Sequence, residues 1–155
     1  MSEKISLLDY KILNYMLEHD SQNLTKVAKD LNVPVPTLHN RIRYLKQSGV
    51  IKRIQPELDL DKLNLPVFAH IELEIENPMN VHELAKKFSS KSNITRIYRV
   101  VGNYDLLLAG YFSKPEEMNE LVEEIAKDER ITSVHGNIIS YKYRDQTTPY
   151  PLKEP

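Results

Sequence analysis

The sequence predicts an α+β chain of two domains, an N-terminal helix-turn-helix (winged-helix-like) domain followed by a ferredoxin-like βαββαβ domain. Three observations carry this: positive charge gathered in the first third, two short helical stretches joined by a four-residue turn with the second one basic, and an internal repeat in the remainder. The boundaries read as residues 1–55 for the helix-turn-helix domain, 56–65 for a linker, 66–144 for the ferredoxin-like domain and 145–155 for a tail. That tail is polar and holds three prolines, and it is expected to be a mobile end, the alternative being an arm over a neighbour.

The formal net charge of −1 hides a split. Residues 1–55 hold nine Lys and Arg against five Asp and Glu, while residues 56–155 hold twelve against seventeen. A basic first domain suits a polyanionic partner and an acidic second domain repels one, so the first domain alone is expected to touch it. No apolar run approaches the roughly 20 residues needed to span a bilayer, and the N-terminus lacks a charged-then-apolar signal segment, so a cytoplasmic location is expected. With no cysteine, a disulfide, a thiolate nucleophile and a Cys-ligated zinc are all excluded.

Ser6 and Asp9 stand at capping-box spacing, and Leu8, Ile12, Tyr15 and Met16 recur at helical intervals, which predicts a first helix over 7–19. Asn23 is a good N-cap for a second, short helix whose buried stripe is Leu24, Val27, Ala28 and Leu31. Pro34 and Pro36 suit only a turn or a first helical turn. A third helix follows, buried along Leu38, Ile42 and Leu45 and stopped by Gly49.

The surface of that third helix is basic, as in a helix-turn-helix whose second helix enters the DNA major groove. Pro36, Thr37, His39, Asn40 and Arg43 are the expected base contacts, since Asn pairs bidentately with adenine and Arg with guanine. Lys26, Arg41, Lys46, Lys52 and Arg53 are the expected phosphate contacts, which fix register without reading sequence. Double-stranded DNA is therefore the predicted partner. The opposing reading is a charged but merely solvated helix face.

In the second half, a shift of 37 positions superposes Pro78, Glu83, Leu84, Ile94 and Thr95 on Pro115, Glu120, Leu121, Ile131 and Thr132. Each copy starts a helix at proline and ends in a strand opened by Ile-Thr. Each also follows a strand, the first alternating Ile71, Leu73 and Ile75 with acidic residues, the second being Leu106–Phe112. The result is βαββαβ, with both helices on one face of the sheet. The second of these strands is apolar on both sides, so a second copy of the chain is expected to cover the open face, at Leu107, Ala109 and Tyr111. The plainer alternative is a central strand with a locally apolar surface.

Four stretches, "LLDYKIL" in the first helix, "SGVIKRI" after the third, "LDLDKLNL" before the second domain and "GNYD" at Gly102–Asp105, resemble the Lrp/AsnC, or feast/famine, family of transcription regulators. The resemblance runs over 7–143. It implies a dimer or higher even-numbered oligomer on an inverted-repeat operator and a small-molecule, amino-acid-like effector. By that resemblance the effector site is lined by Gly102, Asn103, Tyr104 and Asp105 with His135, Gly136 and Asn137 of the last strand. The chain departs from the family pattern at Pro34-Val35-Pro36, where a serine cap is usual, and in a last strand without the usual threonines.

Two other classes compete. A siroheme-decarboxylase-like enzyme would use His135 or His70, and an interaction module without DNA binding would want a neutral third helix. The histidines never fall three or four apart, and the four glycines form no phosphate loop, so no metal, cofactor or catalytic residue is expected.

Overall fold

The structure, a computed structural model, describes residues 5–19, 23–145, 148 and 150–153. The chain divides into two units, residues 1–56 together with 144–155, and residues 57–143.

In the first unit, helix α1 (Leu7–Glu18) begins at the capping box that the sequence spacing predicts, the Ser6 side chain accepting the Asp9 amide and Asp9 accepting that of Ser6. Helix α2 (Leu24–Asp30) is capped by the Asn23 carboxamide, which accepts the Lys26 N–H at 3.1 Å. Helix α3 (Val35–Gln47) starts after Pro34 without a side-chain cap, the two prolines taking positions where a helix has no use for an N–H. It ends at Gly49, whose φ of +77° is the left-handed turn that a β-carbon disfavours. Ile12, Val27, Ala28, Leu38, Ile42 and Leu45 form the buried cluster, flanked by Leu8, Met16, Leu24 and Leu31. Among the described residues this unit contains no strand.

The second unit is an antiparallel sheet of β1 (Val67–Ile75), β2 (Ile94–Arg99), β3 (Leu106–Phe112) and β4 (Ile131–Ile138), ordered β2-β3-β1-β4. Helix α4 (Val81–Phe88) and helix α5 (Pro115–Ala126) make the two crossovers. The repeat is imperfect: α5 starts at its proline, whereas Pro78 opens a 3-10 turn capped by Asn77, and α4 begins at Val81. Ala69, Ile71, Leu73 and Ile75 of β1 and Leu106, Leu108 and Phe112 of β3 share one buried cluster with Leu84, Phe88, Leu121 and Ile125 of the helices. Leu107, Ala109 and Tyr111 therefore lie on the sheet's other face, as strand alternation requires.

No helix among the described residues is long and apolar enough to cross a membrane. In the tail, whose residues 146, 147, 149, 154 and 155 lie outside the described ones, the Leu152 backbone meets Asn14 of α1 at two points, 2.7 and 3.1 Å.

Candidate nucleic-acid interface and ligand site

On α3 the buried residues Leu38, Ile42 and Leu45 define one face, and helical spacing places Pro36, Asn40, Arg43 and Gln47 on the opposite one. All four are exposed, with His39 and Lys46 along one flank and Thr37 along the other. The five expected base contacts thus share the solvent side of one helix. Gln47, four residues after Arg43, completes that stripe and was not among the expected base contacts.

Lys26, Lys46, Lys52 and Arg53 are exposed, whereas Arg41 is half-buried and paired within the unit. Its guanidinium donates Nε to Asp9 Oδ1 at 2.8 Å, Nη2 to Asp9 Oδ2 in a short contact, and Nη2 to Ser6 Oγ at 3.3 Å. Asp9 has no exposed surface. Burial alone would raise its pKa, yet hydrogen bonds from Arg41 and Ser6 outweigh that and hold the carboxyl at about 2. Arg41 thus neutralises a buried charge inside the three-helix unit.

In the second unit, the expected effector residues separate into three roles. Asp105 is structural: its carboxylate accepts the Ile75 N–H at 2.8 Å where the β1–β4 register shifts, and its own N–H donates to Leu73 O at 2.8 Å. It ties the β2–β3 turn to β1 through one carboxylate oxygen and its own N–H. Gly136 is also structural, because a β-carbon there would stand 3.0 Å from Met118 Sδ and Val122 Cγ2 of α5. A side chain there would require Met118 and Val122 to give way, on the face away from His135 and Asn137.

Tyr104 and His135 come together, their rings edge to face with centroids 5.6 Å apart, and Ser133 Oγ lies 2.8 Å from His135 Nε2. His135 is the cross-strand neighbour of Glu72, which on its other side pairs with Leu107. Gly102 and Asn103 are exposed at the adjacent β2–β3 turn. The polar cluster Tyr104, Ser133, His135 and Asn137 thus adjoins the open face that carries Leu107, Ala109 and Tyr111.

That open face is partly covered by the chain itself. Lys142 Nζ lies 4.1 Å from the Phe68 ring centroid and 4.8 Å from that of Tyr111, and it donates to the Tyr111 hydroxyl at 2.8 Å. Ala109 sits between cross-strand neighbours His70 and Arg96 and keeps only 2% of its surface exposed. Leu107 is the more open of the apolar pair. Among the described residues no group of three metal-ligating side chains occurs.

Two family models match the chain. One, described as the Lrp/AsnC ligand binding domain, covers residues 66–149, and the other, described as winged helix-turn-helix DNA-binding, covers residues 5–52. An HTH-type transcriptional regulator of Pyrococcus horikoshii is 27% identical over 136 residues, 88% of this chain and 91% of the relative. Among solved structures, Escherichia coli AsnC superposes with a TM-score of 0.83 at 20% identity, covering 94% of this chain and 99% of that one. A Neisseria meningitidis transcriptional regulator solved as its L-Met complex superposes with a TM-score of 0.85 at 15% identity, covering 93% and 95%.

Proposed function

The chain belongs to the Lrp/AsnC family of transcriptional regulators, and on that premise we propose that it acts as a sequence-specific DNA-binding homodimer in the cytoplasm. The observation that carries the reading is the solvent stripe of α3, in which Pro36, Asn40, Arg43 and Gln47 stand opposite the buried Leu38, Ile42 and Leu45. A helix laid in the major groove along that stripe brings Asn40 and Arg43 to base edges, with Thr37 and His39 beside them. Lys26, Lys46, Lys52 and Arg53 anchor the phosphates. A dimer joined through Leu107, Ala109 and Tyr111 reads an inverted repeat, its half-site centres one or more helical turns apart, about 10 base pairs each.

The second unit carries the control. Tyr104, His135 and Asn137, with the backbone of Gly102 and Asn103, offer aromatic and hydrogen-bonding groups suited to a small zwitterion beside the intersubunit face. The L-Met complex of the Neisseria relative supports an amino-acid-like ligand. No part of this scheme requires a cofactor.

Salt tests it. Four phosphate anchors per subunit should give a log-log slope of affinity against salt of about −5 or steeper for the dimer. A slope near zero removes DNA from the account.

A further inference from the structure

Helix α1 carries a peptide-docking site on the side turned away from α3. Ile12, fully buried, and Asp9 face the three-helix interior. Asn14 and Glu18, four residues apart, share the outward side with Lys11. There the Asn14 carboxamide meets Leu152 as one strand meets another. Its Nδ2 donates to Leu152 O at 3.1 Å, and its Oδ1 accepts the Leu152 N–H at 2.7 Å. Four residues on, Glu18 Oε2 accepts the Tyr150 hydroxyl proton at 2.7 Å, and that bond raises the pKa of the phenol. The Arg144 guanidinium reaches back to Tyr150 O at 3.4 Å. A side-chain amide pairing with both backbone polar groups of one residue fixes the segment's register, and the tyrosine contact fixes its direction.

The docked segment follows the last strand of the second unit in the chain, yet it belongs to the first. The polypeptide therefore passes between the two units twice, at residues 56–57 and again at 143–144. We propose that residues 150–152 are a strap, docked in cis on α1, that gives the DNA-binding unit a second connection to the ligand-binding unit and so limits its reorientation. The site leaves the solvent stripe of α3 uncovered, so the strap does not compete with DNA. Its contacts are few, and the intramolecular attachment makes them sufficient by keeping the segment at high effective concentration.

The effect on DNA rests on the dimeric reading above. Two recognition helices held in a restricted arrangement engage two half-sites with less ordering cost than two loosely tethered ones.

The test uses the full chain with three variants, Asn14→Ala, Leu152→Pro and the two combined. Leu152→Pro removes the N–H that Asn14 accepts and lies outside both buried clusters, so the fold should survive, which circular dichroism checks. In the parent, the Asn14 carboxamide and Leu152 amide should exchange slowly with solvent at all protein concentrations. Either single variant should release both ends, lower the melting temperature of the first unit by about 4 °C or more, and the double variant should add nothing further. Affinity for a two-half-site operator should fall about tenfold while affinity for a single half-site is kept. Unprotected amides in the parent, or additive effects of the two substitutions, overturn the strap. Protection that disappears on dilution assigns the docking to a second copy and overturns the cis form. If the amides are protected and coupled but no variant changes operator binding, the strap's role in DNA binding falls. A parent that binds no DNA sinks the regulator reading and leaves the exchange and melting results to decide the docking.

Discussion

Replacing Arg41 with alanine should unfold the first unit more readily, not simply weaken its grip on DNA. Asp9 has no exposed surface, and its carboxylate is held by two guanidinium N–H groups of Arg41 in addition to the Ser6 cap. Removing the cation leaves a buried charge without its partner, which costs about 3–5 kcal/mol. At the usual stability per residue, the first unit has only about 3–10 kcal/mol in total. The expected outcome is a large fall in the urea midpoint followed by far-UV circular dichroism. Asp9→Asn in the Arg41→Ala background should recover part of the loss, because the charge is then gone. The acid response follows in sign. A carboxyl held at about 2 in the folded chain and near 4 when unfolded contributes about 2 kcal/mol above pH 4, lost as pH falls from about 4 to 2. Arg41→Ala should reverse that dependence, because burial then favours the protonated carboxyl and the variant regains stability as pH falls. An Arg41→Ala protein with an unchanged urea midpoint and a salt slope reduced by about one unit per subunit would refute the reasoning and make Arg41 a phosphate anchor.

Two further outcomes follow. Leu107→Asp should raise the dimer dissociation constant about 100-fold or more while each unit stays folded, since it puts a charge on the face assigned to the second copy; light scattering that still finds dimers places the interface elsewhere. Ala109→Asp is a weaker probe, because Arg96 and His70 flank that position and would pair with the new carboxylate. Asp128, held far below the usual carboxylate range by Arg130 and then Lys87, should add to the acid loss in the second unit. Asp128→Asn should flatten that unit's stability below pH 4, and an unchanged profile would show that the ion cluster contributes nothing.

The elements were legible because their signals are local. The Ser6–Asp9 box is a matter of three residues, and strand alternation alone separates Leu108 from Leu107. What the sequence concealed depends on partners far along the chain. Arg41 looks like every other cation on a basic helix until the fold brings it to Asp9, 32 residues earlier. Asp105 and Gly136 fit the ligand site by position in the chain, and the fold adds a second partner for each, the Ile75 amide for one and the approach of α5 for the other. The proline-rich tail gives no periodic signal at all, because Leu152 and Tyr150 meet α1 through two hydrogen bonds shared with Asn14 and one donated to Glu18, and not through an apolar stripe. The exposed stripe of α3 was almost fully readable, since helical spacing from three buried residues determines it.

The central claim is that this stripe reads bases, and binding by Asn40→Ala, Arg43→Ala and Lys46→Ala proteins to an operator selected from random DNA tests it most directly. Each of the first two should lose roughly 1–3 kcal/mol of preference at particular base pairs while keeping its affinity for random sequence, and Lys46→Ala should weaken both alike. Equal losses by all three proteins on selected and random DNA would contradict the account.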